Sequence, residues 1–337
     1  MRKAWPAAAF SIALMCALWG LTARAAEAPD PPTRAAPWAT APAAYEALKA
    51  LRDAGQFKDF DAALQQLLAA NSVFPDRRPA ADVAWSVLGT FQFEAMLDPQ
   101  RLELMLQEWR AQAPGSPFPA FVQVRLLANA AQRDVASDLP EARDAAKSKL
   151  DDARRELEDL PPGVRATELW HIAMLHVLGS RRQPDGSEGA LAYDAVRRWP
   201  LDLHFHRVVL RRLHPDQGGS WAKVERFVGE ATARVAASEG ESMYARLYTE
   251  LPAGDLAARR TDMDEARLEL GFRDWQERDK GPRVRNLHAT HACAARDKRG
   301  FIQVMRDLPP ADIQASQWLP GHGPSACMRW GGSGPEQ

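Results

Sequence analysis

The sequence lacks an excess of charge of either sign. Its 43 lysines and arginines stand against 44 aspartates and glutamates, which leaves a formal net charge of −1. Because this balance creates no field that would attract a polyanion or an anionic lipid surface, the composition predicts no nucleic-acid partner. Beyond its first 25 residues the chain also lacks an apolar run long enough to cross a bilayer, which takes about 20 residues.

The motifs of several enzyme and ligand-binding classes are missing as well. The chain contains no His-Glu-x-x-His or Cys-x-x-Cys pair for zinc and no Gly-x-Ser-x-Gly elbow for a serine nucleophile. The segment HPDQGGSW, residues 214–221, lacks the preceding strand and the Gly-Lys-Ser or Gly-Lys-Thr ending of a phosphate-binding loop. We interpret it as a corner between two helices with Ser220 as the second helix's N-cap, and we predict no cofactor and no metal.

The first 25 residues have the three parts of a secretory signal peptide. Residues 1–3 (Met-Arg-Lys) carry two basic side chains, an apolar run ends near Leu21, and residues 23–25 (Ala-Arg-Ala) have small side chains at the two positions that a signal peptidase reads. An uncleaved anchor is the alternative, but the run contains Pro6 and is shorter than a bilayer span. We therefore predict a signal peptide over residues 1–25, a proline-rich linker over 26–42, and a periplasmic or secreted protein with no stable membrane insertion after cleavage.

Cysteine is scarce, with three in the whole chain. Cys16 lies in the predicted signal peptide, so only Cys293 and Cys327 remain after cleavage. Two remaining cysteines in an oxidising compartment favour a disulfide between them. Since sequence does not show the geometry that such a bond requires, two unpaired thiols remain the alternative.

Apolar residues recur at every third or fourth position from residue 43 onward, as on one face of a helix. Phe60, Leu64 and Leu67 form one such stripe, and glycine or proline corners separate successive stripes. Alternation of the strand type is not sustained beyond a few residues. The pattern predicts an all-α fold of stacked antiparallel helical hairpins, an α-solenoid over residues 43–318, followed by a glycine-rich tail over 319–337.

Two stretches resemble known families. Residues 53–68 (DAGQFKDFDAALQQLL) resemble the corner and second helix of a tetratricopeptide unit, although no strict repeat period is visible. The stretch from Arg207 to Trp318, with Gly-Gly-Ser at 218–220 and Tyr-Ala-Arg-Leu-Tyr at 244–248, resembles a bacterial exported domain of unknown function, family 4034. The resemblance implies a helical, tetratricopeptide-like exported protein and brings no catalytic residues with it.

Histidines and tryptophans supply the first candidate functional residues. The histidine clusters are His204 with His206 and His288 with His291. Because zinc needs three or four converging ligands, we interpret these histidines as half-buried residues on apolar stripes rather than as metal ligands. Trp38, Trp318 and Trp330 lie in the predicted linker or near the tail, where exposed tryptophans mark contact surfaces.

Acidic residues supply the second set of candidates. Glu225, Glu230, Glu239 and Glu241 lie near the corner at 214–221. Paired carboxylates hydrolyse glycosides when a cleft holds them at a suitable distance, whereas on mixed-charge helices they are usually solvated.

The sequence thus predicts a scaffold that binds an envelope protein or peptide, because stacked hairpins expose long surfaces and no reactive group is recognisable. The alternative is a carboxylate-dependent hydrolase of envelope material, which acids or histidines converging on one cleft would favour.

Overall fold

A computed structural model describes residues 38–69, 73–75, 77–137, 139–181, 186–257 and 262–332. The predicted signal peptide and most of the predicted linker lie outside these residues. The helices are α1 (Ala41–Asp53), α2 (Phe57–Ala69), α3 (Ala80–Gly89), α4 (Phe91–Leu97), α5 (Pro99–Gln112), α6 (Phe118–Val135), α7 (Pro140–Glu158), α8 (Pro162–Arg165), α9 (Glu168–Gly179), α10 (Gly186–Arg198), α11 (Leu203–Leu213), α12 (Trp221–Glu239), α13 (Ser242–Tyr248), α14 (Ala253–Ala257), α15 (Glu265–Arg278), α16 (Pro282–Ala294), α17 (Lys298–Arg306) and α18 (Pro324–Gly332).

The all-α prediction is confirmed. Within the described part of the chain, the only β pairing is an isolated bridge between Val73 and Pro79. Helices that follow each other pack together, as α6 does with α7 and α12 with α13, and helices two apart also meet, as α1 does with α3 and α13 with α15. Contacts of both kinds are expected when helical hairpins stack, since no single hairpin buries its apolar stripe alone.

The corner at 214–221 has the structure that the sequence predicts. Gly218 has φ of +80°, the left-handed conformation that glycine adopts at no steric cost. Ser220 is the N-cap of α12, and its side-chain oxygen accepts a hydrogen bond from the backbone N–H of Lys223 at 3.3 Å. The segment therefore turns the chain from α11 into α12.

The two ends of the predicted helical domain differ from the structure. Helix α1 begins at Ala41, inside the predicted linker, because Thr40 caps it and Pro42 is tolerated in a first turn. Helix α18 forms inside the predicted glycine-rich tail. Gly331 lies so close to the Phe301 ring that a Cβ there would come within 2.6 Å of it. Glycine therefore promotes close packing of the tail instead of preventing it.

Buried apolar side chains form two clusters. The larger runs from α1 to α16, and the smaller unites Cys293 and neighbouring residues of α16 with Phe301, Trp318 and Cys327 near the C-terminus. The Cys293 and Cys327 sulfurs form a disulfide within the smaller cluster. Of the helices that the structure describes, none is both long and apolar enough to span a membrane.

Candidate functional site

A cavity of about 470 Å³ opens between the loop before α3 and helices α11, α13, α15 and α16. Its lining is strongly charged. The charged residues are the five arginines Arg77, Arg78, Arg207, Arg246 and Arg283, and the four carboxylic acids Asp82, Asp202, Glu250 and Asp279. The volume falls in the range of about 300–1,000 Å³ that is typical of small-ligand sites.

Arg246 of α13 is the most buried arginine of this lining, with 2% of its surface exposed. Its Nη2 donates to the backbone carbonyl of Arg77 at 3.3 Å. Its Nη1 has no hydrogen-bond partner among the described residues, since Glu239 Oε2 lies 3.8 Å away. Burial lowers the pKa of Arg246 to about 10, so the guanidinium keeps its charge at neutral pH.

The loop between α2 and α3 brings Arg77 to the same wall. Arg77 has φ of +64°, which is unusual for a residue other than glycine. The backbone N–H of Phe74 donates to the carbonyl of Arg78 at 2.9 Å, which closes the loop. Arg77 Nη1 lies 3.2 Å from Oε1 of the fully buried Glu239, so Glu239 lies next to both arginines. We call Arg77, Arg246 and Arg283 the basic half of the cavity; the charges of Glu239, Arg77, Glu250 and Arg283 all act on Arg246.

Trp275 of α15 completes the basic half. The tryptophan is 2% exposed, and its Nε1–H has no hydrogen-bond partner in the described part of the chain. The guanidinium of Arg283 lies over its ring, 5.7 Å from the centroid. A buried indole N–H usually finds an acceptor, so the basic half contains a second unused donor beside Arg246 Nη1.

The beginnings of α3 and α11 bring two acidic residues, Asp82 and Asp202, to the cavity lining, and Glu168 at the beginning of α9 interacts with both of them. Asp82 lies in the first turn of α3, Glu168 in the first turn of α9, and Asp202 is the N-cap of α11. Acidic residues suit these positions because the backbone N–H groups there are unpaired and carry partial positive charge. We call these three residues the acidic half.

Asp202 is buried, with 2% of its surface exposed. Its Oδ1 accepts a hydrogen bond from the backbone N–H of His204 at 2.7 Å, and its carboxyl is also hydrogen-bonded to the carboxyl of Glu168. Burial raises the pKa of Asp202 to about 7. Burial, followed by the charges of Asp202 and Asp82, also raises the pKa of Glu168 well above its usual value. The two carboxyls therefore interact and retain a proton near neutral pH.

Arg207 of α11 also lines the cavity. Its Nε donates to Glu250 Oε2 at 2.6 Å, and its guanidinium also feels the charges of Asp82 and Asp202. Because Glu250 also acts on Arg246, this one carboxylate of the lining interacts with both arginines.

The histidines of the two predicted clusters lie in different surroundings. His204 lines the cavity, whereas Nε2 of His206 contacts the Pro200 carbonyl at 2.9 Å in the core. Burial lowers the pKa of both to about 4, which keeps their rings neutral at pH 7. His288 Nε2 lies 2.5 Å from Glu269 Oε2, and its ring and that of His291 pack against Phe272. In the described ranges, no three His, Cys, Asp or Glu residues are arranged as metal ligands.

Most of the predicted acids and tryptophans lie away from the cavity. Glu225 accepts hydrogen bonds from the hydroxyls of Tyr244 and Tyr248. Glu241 lies 2.9 Å from Arg267 and Glu230 is exposed, so Glu239 alone of that group adjoins the cavity, behind its arginines.

The contact-surface interpretation is wrong for Trp318. It is buried, and its Nε1 donates to Asn286 at 2.8 Å. Trp38 and Trp330 are partly buried against the two apolar clusters. Segments that look like linker or tail in the sequence are therefore packed where these tryptophans lie.

The sequence does not identify the residues of the acidic half as functional candidates, because each one looks like an ordinary residue at the start of a helix. The available signal was that the chain has acidic residues at three helix starts, but sequence alone does not show that they meet.

A scan against protein-family models finds no match to this chain, and searches of curated proteins and of solved structures find no similar protein. The resemblance to family 4034 therefore stays a prediction.

Proposed function

We propose that this chain is an exported helical-repeat protein that binds an envelope protein or peptide, and that the ligand places a carboxylate in the basic half of the cavity. One observation carries the proposal. Two buried donors that line the cavity, Arg246 Nη1 and Trp275 Nε1, have no hydrogen-bond partner among the described residues.

Unused buried donors are costly for a protein that has no ligand. Each unsatisfied buried donor destabilises the folded state by about 1–3 kcal/mol, and a donor on a charged group by more. A carboxylate matches a guanidinium in charge and geometry, and a site sheltered from water strengthens that attraction. Binding of a carboxylate would therefore recover a cost that the ligand-free protein already bears.

The charge of the whole cavity favours a peptide over a polyanion. Four carboxylic acids share the lining with the five arginines, so a chain of phosphates would meet repulsion as well as attraction. A peptide presents a single carboxylate at its C-terminus and neutral amides elsewhere. The basic half can accept that group without exposing the ligand's other charges to the same arginines.

The proposal predicts that a free C-terminal carboxylate is required for binding. The immobilised protein is exposed to a random pentapeptide pool with free C-termini and to the same pool with amidated C-termini, and retained peptides are quantified by mass spectrometry. We expect amidation to reduce retention at least tenfold, which corresponds to about 1.4 kcal/mol. Arg246→Lys, which keeps the charge but loses the planar fork, and Trp275→Phe, which removes only the indole N–H, should each lower retention of the free pool.

Arg234→Lys serves as the control, because Arg234 is exposed on α12. Thermal unfolding establishes whether each variant is folded. Trp275→Phe keeps the test decisive if Arg246→Lys is unfolded. Equal retention of the free and amidated pools by the unmodified protein would refute the proposal.

A hydrolase is the second candidate, and the acidic half favours it. The Asp202 carboxyl, which burial keeps protonated near neutral pH, lines the cavity together with Asp82, and glycoside cleavage uses such a general acid beside a second carboxyl. This candidate predicts that the protein releases reducing ends from purified cell-wall glycan and that Asp82→Asn abolishes the release. Absence of release by the unmodified protein would reject it.

A further inference from the structure

Two consecutive helices carry four large apolar side chains that are exposed to solvent. These side chains are 65–82% exposed, more than any other large apolar side chain that the structure describes: Phe93, Met96 and Leu97 of α4, and Leu104 of α5. We infer that this face is the interface between two copies of this chain, which form a symmetric dimer. The inference is independent of the cavity and of the proposed function.

Helix α4 presents three of these side chains as a ridge. Phe93, Met96 and Leu97 are spaced three and four residues apart, which places them on one side of a helix. The other side of α4 packs on the core through Phe91, which is fully buried, and through the partly buried Ala95. The ridge therefore faces away from the protein, and contiguous exposed apolar residues mark interaction surfaces.

A groove lies directly beside the ridge. It has a volume of about 790 Å³ between α4 and α6, and Met96 belongs to both the ridge and the groove. On the α6 side, Leu126 and Ala136 are among its lining residues. Asn129 Nδ2 of α6 donates to Gln92 Oε1 of α4 at 2.7 Å, which joins the two walls of the groove. Since helices pack by placing the ridge of one in the groove of another, this face contains both parts of such a contact.

The charges beside the ridge and the groove are complementary. Asp98 directly follows Leu97 at the end of the ridge, and Arg133 lines the groove; both side chains are exposed. Asp98 Oδ1 caps α5, which leaves its second oxygen for an ion pair with Arg133 of the other copy. Arg101 Nε lies 3.8 Å from Glu94 Oε2, so these two charges offset each other within one copy.

The area of the exposed face is sufficient for a dimer. Four side chains of this size, exposed to this extent, present on the order of 500 Å² of surface. Two copies that cover each other's face therefore bury about 1,000 Å², which is the lower limit for a specific interface. The net charge of −1 produces almost no repulsion between copies.

A second copy also supplies every complementary feature at once. A twofold axis places the same patch of both copies in contact, so each ridge meets a groove and each Asp98 meets an Arg133. A polyanion would find no role for the apolar ridge, and a lipid surface would leave the groove beside it empty. The combination of ridge, groove and opposite charges on one face therefore favours self-association.

Multi-angle light scattering of the purified full chain tests the dimer. We expect the mass of two chains at about 100 µM and a decrease towards the mass of one chain on dilution, because association depends on concentration. Leu97→Asp should raise the dissociation constant of the dimer at least tenfold, because it places an unpaired carboxylate in the apolar interface. Leu270→Asp is the matched control, since Leu270 is 48% exposed on α15, and should behave like the unmodified protein.

A second pair of variants tests whether the ridge lies in the groove. Arg133→Glu should weaken dimerisation by about threefold or more at low salt, because the new carboxylate faces Asp98, and the effect should shrink as salt screens the charges. Arg234→Glu is the control for charge reversal, because Arg234 is exposed on α12. If both variants dimerise as tightly as the unmodified protein, the groove is not part of the interface and the inference is wrong.

The remaining outcomes are equally decisive. If the unmodified chain has the mass of one chain at about 100 µM, the inference is wrong. If Leu97→Asp dimerises as tightly as the unmodified protein, another surface forms the dimer, and the inference is again wrong. A monomer that binds phosphatidylcholine vesicles only with Leu97 intact would show that lipid covers the ridge instead. Circular dichroism establishes that each variant is folded, and Arg133→Glu decides the matter if Leu97→Asp is not.

Discussion

Glu239→Gln should lower the free energy of unfolding by about 3–5 kcal/mol, the typical cost of removing one partner of a buried ion pair. Glu239 is fully buried, and its carboxylate lies 3.2 Å from Arg77 and 3.8 Å from Arg246. The hydroxyl of Ser242 also donates to it at 3.1 Å. Glutamine keeps the shape but not the charge, so Arg246 would remain buried without its counter-charge. Urea denaturation followed by circular dichroism measures the loss.

Glu230→Gln is the matched control, because Glu230 lies on the same helix and is exposed. Its effect should stay within about 0.5 kcal/mol, as is usual for surface substitutions. If the two variants were equally stable, the charge of Glu239 would not stabilise the arginines of the cavity's basic half. The ion pair with Glu239 would then not hold Arg246 in place.

The second large effect concerns the C-terminal disulfide. Joint replacement of Cys293 and Cys327 by alanine should lower stability by about 3–4 kcal/mol, the loop-entropy contribution for a bridge that spans 34 residues. The loss should concentrate at the C-terminus, because α17 and α18 pack in the smaller apolar cluster. Limited proteolysis should then cleave the variant first in the segment 307–323, between these two helices.

Reduction of the unmodified protein with a small phosphine supplies an independent comparison. The reduced protein and the double variant should show the same early cleavage, whereas the oxidised protein should resist it. If the double variant and the oxidised protein were cleaved at the same rate, packing alone would hold α18. The disulfide would then have no structural role.

Local patterns predict the helices well because the signals that start and stop a helix lie within a few residues of each other. Gly218 and Ser220 illustrate this: one ends a turn with positive φ, and the other caps α12. The same local reasoning misplaced the tail. Gly331 looks incompatible with packing in the sequence, yet it allows α18 to approach Phe301 of α17. A local pattern does not show a contact between residues this far apart in the chain.

The sequence did not predict most of the candidate site, because local patterns do not show which distant residues meet. Asp82, Glu168 and Asp202 each suit the beginning of a helix, so each has a sufficient local explanation. Arg77 and Arg246 are 169 positions apart, yet a hydrogen bond joins them. Of the residues singled out from the sequence, only His204 lines the cavity and only Glu239 supports it.

The spacing of apolar residues and the placement of glycine, proline and capping residues by themselves determined that this protein is built of short helices. Those preferences act over one or two helical turns, so they can be recognised in the amino-acid sequence. The tertiary structure alone decided that two acidic helix starts, Asp82 and Asp202, line one cavity with the buried Arg246. Burial and the charge of distant neighbours exist only after the hairpins have packed, and these two effects make ordinary surface residues into a candidate binding site.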